Sequence, residues 1–195
     1  MPSISFVLFV IITAAWLLEF VLFRPRTQMY TFQEPLGPDW VAVVIVASTV
    51  STLLLRNQMS LVIHGIFGEV MELGGLALYA TGTIMRYAGS IALGPMYNRF
   101  IQVQKNQPLV SKGIYTFIRH PMYVGLFYLI VAFPMYFRNG LMTVLTLAAM
   151  FVVIHQRMNF EERIMEDVIG ERYIEWKRKH HRFFPKFVFG KKTSQ

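Results

Sequence analysis

The sequence HPMYVGLFYLIVAFPMYFRNGLMTVLTLAAMFVVIHQ at residues 120–156 contains two long apolar runs joined by one short turn. The first run covers residues 121–137 and the second covers residues 139–156. Arginine, asparagine and glycine at positions 138–140 are typical of a tight turn between two antiparallel helices. This stretch therefore predicts a helical hairpin that is apolar over nearly its whole length.

Three further apolar stretches precede the hairpin, at residues 4–23, 39–56 and 61–85. A transmembrane helix needs about 20 predominantly apolar residues to cross the hydrocarbon core, and all five stretches approach that length. The sequence therefore predicts an all-α, polytopic membrane protein with about five transmembrane helices and a cytoplasmic C-terminal helical segment. We expect residues 1–195 to form one membrane-embedded domain, because this length suits one compact domain.

The distribution of positive charge tests this arrangement. With five spans, seventeen of the nineteen Lys and Arg residues share one side of the membrane. They lie after the first span, in the loop at residues 86–120 and in the tail at residues 157–195, whereas Arg56 and Arg138 fall on the opposite side. By the positive-inside rule, the loop 86–120 and the tail are predicted to be cytoplasmic and the N-terminus to lie outside.

Composition narrows the possible functions. The chain is 54% hydrophobic and 15% charged, whereas about 25% of the residues are charged in an average soluble domain. It has no cysteine, which excludes disulfides, thiolate zinc sites and cysteine nucleophiles. We attribute the net charge of +8 to basic flanks near anionic lipid, and we therefore predict no nucleic-acid partner. We also predict no metal site.

The boundary before the fourth apolar stretch concentrates functional residue types. Residues 113–125 read GIYTFIRHPMYVG and bring arginine, histidine, proline, tyrosine and glycine together within seven positions. Pro121 suits the first turn of a helix, which places His120 near the N-cap, where free backbone N–H groups attract a ligand carboxylate. A membrane boundary with a snorkelling arginine and an interfacial tyrosine explains the same spacing equally well.

A second cluster follows the fifth stretch and consists of Arg157, Glu161 and Glu162. Arg157 and Glu161 are four residues apart and share one helix face, so a simple ion pair is the more economical interpretation of this cluster alone. Helical spacing of apolar residues predicts that this helix continues into the cytoplasm and that a second helix covers residues 171–179.

Taken together, the two clusters resemble the isoprenylcysteine carboxyl methyltransferase family. The resemblance rests on five elements in order over residues 104–185: Arg119-His120-Pro121-x-Tyr123-x-Gly125, a helical hairpin, Glu161-Glu162, Gly170-x-x-Tyr173-x-x-Trp176 and Arg182-Phe183-x-Pro185. Membrane phospholipid methyltransferases share much of this pattern. Family members often have tyrosine at the position of Trp176. Eukaryotic members are usually longer, so the chain is similar to a prokaryotic member, which implies a prokaryotic cell membrane.

The resemblance implies an enzyme that uses S-adenosyl-L-methionine as methyl donor and releases S-adenosyl-L-homocysteine. The family's cofactor pocket carries over to the matching positions Gln104, Leu109, Val110, Tyr115, His120, Pro121, Met122, Tyr123, Glu161 and Glu162. Arg157 corresponds to a family arginine assigned to the carboxylate of the acceptor. The implied reaction methylates the carboxylate of a prenylated cysteine or of a similar lipid-like acceptor that enters from the lipid bilayer.

The chemistry of this reaction suits a site with few catalytic residues. An ionised carboxylate attacks a sulfonium methyl group by in-line displacement without a general base, so the protein has to align and desolvate the reactants. We expect Arg157 to position the acceptor carboxylate. Donor contacts are expected from His120 for its carboxylate, Glu161 or Glu162 for its amino and ribose groups, Leu109 and Val110 for its adenine, and Tyr115 or Tyr123 for its sulfonium.

Two other functions stay open from the sequence. A phospholipid or other lipid N-methyltransferase needs a base for its ammonium acceptor and gains nothing from the charge of Arg157. The other is a non-catalytic membrane subunit or a small-molecule transporter, and the absence of a visible inverted repeat argues against transport.

Acidic residues inside the spans require an explanation, because an unpaired carboxylate is costly at membrane depth. Glu69 and Glu72 either line a substrate path or lie near an interface with partners of their own. Glu19 is expected to pair with Arg24 or Arg26.

Overall fold

The computed structural model describes residues 2–23, 32–33, 39–58, 61–98 and 101–183. Most of these residues lie in α1 (Ile4–Leu22), α2 (Trp40–Leu55), α3 (Gly65–Leu93), α4 (Pro121–Tyr136), α5 (Gly140–Ile169) and α6 (Glu171–Lys179). Two short antiparallel strands, β1 (Phe32–Gln33) and β2 (Gln102–Val103), pair with each other, and 3₁₀ turns cover Gly94–Met96 and Gly113–Thr116. The described part of the chain is therefore mainly helical, as the sequence predicts.

The helix boundaries follow from local capping chemistry. α1, α2 and α4 begin and end within one residue of the apolar stretches that predict them. Asp39 accepts hydrogen bonds from the first turn of α2, and Asn139 accepts one from the N–H of Met142 in α5. Pro121 occupies the first position of α4, where its missing N–H costs no bond. α4 and α5 form the hairpin.

α3 is longer than the predicted stretch, because it continues from residue 85 to Leu93. Arginine, glycine and serine in this last part are untypical of a membrane span, yet Arg86, Gly89 and Ser90 are all buried. α5 likewise runs without a break through 30 residues, and Gly170, with φ at 70°, separates it from α6. The predicted helix after the hairpin is thus the second half of α5.

Large apolar side chains cover the outside of the helix bundle. Phe9 and Glu19 are the buried residues of α1, and most of its other apolar side chains are exposed, as are many of α2, α3 and α5. Such a surface is suited to lipid. Of the described helices, α1 and α5 are long and apolar enough to cross a membrane, and α2 and α4 are shorter apolar helices. The number of five spans stays a prediction.

α3 and α4 pack with their backbones in direct contact along a row of glycines. Gly68, Gly75, Gly82 and Gly89 are spaced seven residues apart in α3, and all four are buried. A Cβ atom on Gly82 would lie 2.7 Å from the carbonyl oxygen of Gly125 in α4. Only glycine allows so close an approach, which is typical of helix packing in membranes.

Glu19 ties α1 to the far end of α3. The Nε and Nη2 atoms of Arg86 each donate to one oxygen of its carboxylate at 2.6 Å, and the hydroxyls of Ser90 and Tyr97 donate to Oε1 at 3.4 and 3.3 Å. The observed partner of Glu19 is thus Arg86. The two arginines that the sequence suggested as its partners, Arg24 and Arg26, lie outside the described residues. A fully paired, bidentate carboxylate can be buried at this depth.

The two acidic residues near the start of α3 have different surroundings. The carboxylate of Glu72 accepts hydrogen bonds from Arg138 in the α4–α5 turn, with Nε at 2.8 Å, and from the hydroxyl of Ser5 at 2.5 Å. Glu69 is exposed. Glu72 therefore has partners of its own, which is one of the two interpretations that the sequence allows.

Glu162 is the centre of an ion-pair cluster where α4 starts and where α5 and α6 meet. Its Oε1 atom lies 2.9 Å from Nε2 of His120, 3.4 Å from Nη2 of Arg119 and 3.2 Å from Nε of Arg182, and its Oε2 atom lies 2.9 Å from Nζ of Lys177. Burial alone raises the pKa of Glu162. Hydrogen bonds from His120 and Lys177 outweigh that effect and lower the pKa from 4.5 to about 2.

A pH-dependent stability follows from this cluster. The folded-state pKa of Glu162 lies below its unfolded value, so its stabilisation is complete above pH 4.5 and is lost as the pH falls through about 2. We expect Glu162→Gln to lower the Tm of the detergent-solubilised protein at pH 7, with a gap to the parent that narrows between pH 4.5 and 2. Fluorescence-detected melting over a pH series measures this gap. Parallel pH profiles of the two proteins would contradict the prediction.

The glycine row makes a second prediction. Gly82→Ala is expected to destabilise the fold by about 1–3 kcal/mol, because its Cβ meets the backbone of α4. Gly74→Ala is the matched control, since its Cβ would meet only the end of the Met135 side chain, at 3.0 Å, and alanine favours a helix by up to about 1 kcal/mol. Unfolding in mixed micelles compares the two variants. Equal effects would show that α3 and α4 do not depend on close contact at Gly82.

Candidate active site

A cavity of about 420 Å³ lies where the starts of α2 and α4, the end of α3 and the middle of α5 meet residues 95–98 and 101–110. Its volume is within the range of about 300–1,000 Å³ that is usual for small-molecule sites. We divide its lining into two arms by the elements that contribute to it. The polar arm consists of the lining residues of the segment 101–110, α5 and α6, and the apolar arm consists of those of α1, α2 and α4.

Nine of the eleven site residues chosen from the sequence line this cavity. They are Gln104, Leu109, Val110, Tyr115, His120, Met122, Tyr123, Arg157 and Glu161. Pro121 and Glu162 do not line it. Pro121 is buried at the start of α4, where it fixes the helix terminus that presents His120.

The acidic pair of α5 points in two directions. Glu161 lines the cavity, whereas Glu162 lies behind His120 and binds its ring through Nε2. Successive side chains of a helix are about 100° apart around its axis, so two neighbouring carboxylates serve different surroundings. Glu162 therefore orients His120, and Glu161 is the carboxylate available to a ligand.

Glu161 is incompletely satisfied. The hydroxyl of Tyr123 is hydrogen-bonded to its carboxylate, but the buried Oε2 atom has no hydrogen-bond partner among the described residues. A buried polar atom without a partner costs free energy unless a ligand supplies a donor. An ammonium or hydroxyl group of a bound molecule would meet that need, which makes this the clearest ligand-binding position in the cavity.

Arg157 belongs to the polar arm and contacts residues at the starts of α4 and α2. Its Nε atom donates to the hydroxyl of Tyr123 at 3.3 Å, and its Nη1 atom lies 3.7 Å from Oδ1 of Asp39. The side chain of Arg157 is only 13% exposed. The hydroxyl of Tyr123 is also hydrogen-bonded to Glu161, so it contacts both a cation and an anion of α5.

The segment 101–110 lines the polar arm, and hydrogen bonds fix its backbone at two places. β2 pairs with β1, with Val103 opposite Phe32. Arg172 of α6 donates to the backbone carbonyls of Gln107 at 2.7 Å and of Lys105 at 3.3 Å. These bonds fix the backbone beside Leu109 and Val110, whose apolar side chains suit a flat aromatic ligand.

Two buried tyrosines, Tyr115 and Tyr173, line the cavity. Burial, followed by the charge of Glu161, raises the pKa of the Tyr115 hydroxyl well above its ordinary value, so that this group stays protonated. Burial, followed by the charges of Glu162 and Glu161, does the same for the pKa of Tyr173. Trp176 stacks on Tyr173, with ring centroids 5.7 Å apart, and also lines the cavity.

The sequence does not predict several of the cavity residues. They are apolar, or they lie in or directly before one of the first three helices, and include Trp16, Phe20, Asp39, Val41, Ala42, Ile45, Arg86 and Leu126. An apolar side chain facing a cavity has the same sequence pattern as one facing lipid, so the apolar arm had no signal. Asp39 had one, because a carboxylate directly before an apolar stretch is an N-cap candidate.

Comparison with known proteins identifies relatives of this chain. Residues 75–167 match the model of the isoprenylcysteine carboxyl methyltransferase family. The chain is 31% identical to the protein-S-isoprenylcysteine O-methyltransferase of Xenopus laevis over 107 residues, which is 54% of this chain and 37% of that protein. It is 27% identical to the enzyme of the same name from Schizosaccharomyces pombe over 122 residues, 62% of this chain and 51% of that one.

A solved structure shows the same fold. The structure of the eukaryotic intramembrane Ras methyltransferase, an isoprenylcysteine carboxyl methyltransferase, superposes with a TM-score of 0.63 and 21% identity over 78% of this chain and 54% of that one. The chain spans between a third and about half of the relatives named here. By the sequence of residues 75–167 and by its fold, this membrane protein is related to the isoprenylcysteine carboxyl methyltransferase family.

Proposed function

We propose that the chain is an S-adenosylmethionine-dependent methyltransferase that esterifies the carboxylate of a prenylated cysteine or of a similar lipid-like acceptor. The observation that carries the proposal is the position of Arg157, which lines the cavity from α5 and contacts Tyr123 of α4 and Asp39 at the start of α2. A water-soluble donor suits the polar arm, a lipid-like acceptor suits the apolar arm, and the arginine suits the carboxylate that must lie between them.

The polar arm fits S-adenosylmethionine. Glu161 has the unpartnered oxygen that its amino group or ribose would satisfy, His120 lies at the N-terminus of α4 for its carboxylate, and Leu109 and Val110 flank a place for adenine. Tyr115 and Tyr123 present aromatic faces suited to a cation. When bound, this cofactor supplies an electrophilic methyl group.

The protein's own residues align the acceptor. The guanidinium of Arg157 is held through Nε by the Tyr123 hydroxyl, which fixes its plane. Its role is to place an oxygen of the acceptor carboxylate in line with the methyl group, because positioning alone can contribute several kcal/mol to such a reaction. Enclosure by the apolar arm removes water from that carboxylate and leaves it more nucleophilic.

The proposed topology brings each reactant to its own arm. Five spans with a cytoplasmic loop 86–120 and a cytoplasmic tail 157–195 open the polar arm to the cytoplasm. The apolar arm, with Trp16, Val41 and Ile45 among its walls, lies between helices whose outer faces suit lipid. A prenyl chain therefore enters sideways from the bilayer, and residues 1–195 act as one domain.

A lipid N-methyltransferase is the second candidate, and one observation favours it. The carboxylate of Asp39 lies in the cavity and is half exposed, so it could accept the proton of an ammonium acceptor. The nearby charge of Arg157 repels such an acceptor, which leaves the carboxyl reaction as the better fit.

The reaction itself is tested with purified protein and a donor that carries a labelled methyl group. We expect a base-labile methyl ester on an S-prenylated cysteine and no label on phosphatidylethanolamine. Arg157→Lys is expected to lower kcat/KM for the acceptor about 100-fold, because lysine cannot grip a carboxylate in the same geometry. The affinity for S-adenosylhomocysteine should not change.

Arg163→Lys is the control for this substitution, since Arg163 is exposed on the same helix. Label on the amine alone, or equal activity of Arg157→Lys and the control, would overturn the proposal.

The role of Glu161 is tested by binding. Glu161→Gln is expected to weaken S-adenosylhomocysteine binding about tenfold, because it removes a charged acceptor from a buried site. The Tm of the ligand-free variant should stay at the parent value or rise. Isothermal titration in micelles measures the affinity, with Glu171→Gln, which is exposed on α6, as control. Unchanged affinity in Glu161→Gln would exclude a cofactor contact.

A further inference from the structure

The carboxylate of Asp39 lies beside Arg157, the cation proposed to bind the acceptor carboxylate. Its Oδ1 atom lies 3.7 Å from Nη1 of Arg157, and both residues line the cavity. The side chain of Asp39 is 49% exposed, whereas that of Arg157 is 13% exposed. The cation is thus deep in the cavity, and Asp39 stands at its more open side.

The position of the Asp39 carboxylate is set by α2 rather than by Arg157. The same Oδ1 atom accepts hydrogen bonds from the N–H groups of Val41 at 3.1 Å and Ala42 at 3.4 Å, as the N-cap of the helix. A separation of 3.7 Å from Arg157 is longer than a hydrogen bond, so the contact is one of charge alone. Asp39 consequently places a negative charge beside Arg157 without holding it in a bidentate grip.

We propose that Asp39 is a specificity-determining residue that competes with the acceptor carboxylate for Arg157. This inference rests on the proposed function. An acceptor acid must displace the Asp39 charge from the guanidinium, and it can do so because it is able to form the bidentate pair that Asp39 does not form. A ligand without a carboxylate leaves the Asp39–Arg157 contact in place.

The competition distinguishes substrate from product. In the reaction an acceptor oxygen forms a bond to the methyl carbon, the carbon–sulfur bond breaks, and its electron pair stays on the sulfur. The acceptor loses its negative charge, and no proton moves. The resulting ester has no charge with which to hold Arg157, so Asp39 regains the guanidinium and the ester is released.

The test is Asp39→Asn, which removes the charge but keeps the helix cap, because asparagine caps as well as aspartate. We expect the KM for an S-prenylated cysteine acid to fall about tenfold, which corresponds to about 1.4 kcal/mol. The KM for the donor and the Tm should not change. Without turnover, in the presence of S-adenosylhomocysteine, the Kd of the acid should fall by the same factor and the Kd of its methyl ester should change less than about twofold.

Two further variants complete the design. Asp39→Ser also keeps a capping oxygen without a charge, and it serves if the asparagine variant is poorly folded. Asp167→Asn removes an exposed carboxylate from α5 and controls for net charge. An acid Kd that falls equally in Asp167→Asn would assign the effect to net charge and overturn the inference.

The remaining outcomes separate the two proposals. If the parent protein forms the ester and Asp39→Asn leaves acid binding unchanged, the competition is disproved and the proposed function stands. If the parent forms no ester, the proposed function itself fails. If Asp39→Asn abolishes methylation of an amine acceptor, Asp39 is a base and the second candidate function is correct.

Discussion

The backbone contact between α3 and α4 is the constraint on which the rest of the molecule depends. A side chain larger than hydrogen at Gly82 or Gly125 would separate the two helices, since a Cβ on either one would lie less than 3 Å from a carbonyl oxygen of the other helix. The contact fixes the end of α3 beside the start of α4. There the guanidinium of Arg86 lies 3.5 Å from the carbonyl oxygen of Met122, while its other nitrogens bind Glu19 of α1. The contact between α3 and α4 thus also sets the position of α1, through Glu19.

The ion-pair cluster around Glu162 is the second interaction that holds the helices around the cavity in place. It binds the ring of His120 at the start of α4 and the ammonium of Lys177 in α6, so the walls of the polar arm are tied together behind the cavity. Because Glu162 supplies this support, Glu161 one residue earlier does not have to. A carboxylate oxygen can remain unpartnered at Glu161 only in a structure that other interactions have already stabilised.

Whether the sequence predicts one of these features depends on how far apart along the chain its residues lie. The hairpin, the cap at Pro121 and the cluster on α5 are local patterns, and the sequence predicts them. The pair between Glu19 and Arg86 joins residues 67 positions apart, and nothing local indicates it. The glycines every seven residues in α3 are a readable sequence signal of close packing, and the predictions from the sequence did not use it. The apolar arm could not be read, because lipid and a prenyl chain select the same side chains.

The arrangement of charge in the cavity gives the proposed reaction its direction. Arg157 is a cation that lines the cavity, and the hydroxyl of Tyr123 is hydrogen-bonded both to it and to Glu161. A positively charged donor is attracted to the glutamate side, and a negatively charged acceptor is attracted to the arginine side. Methyl transfer removes the charge of the sulfonium and that of the acceptor carboxylate at once, whereas the amino group of the donor keeps its charge. The acceptor side of the site therefore binds its substrate by attraction and loses that attraction when the reaction is complete, while Glu161 can still bind the product of the donor.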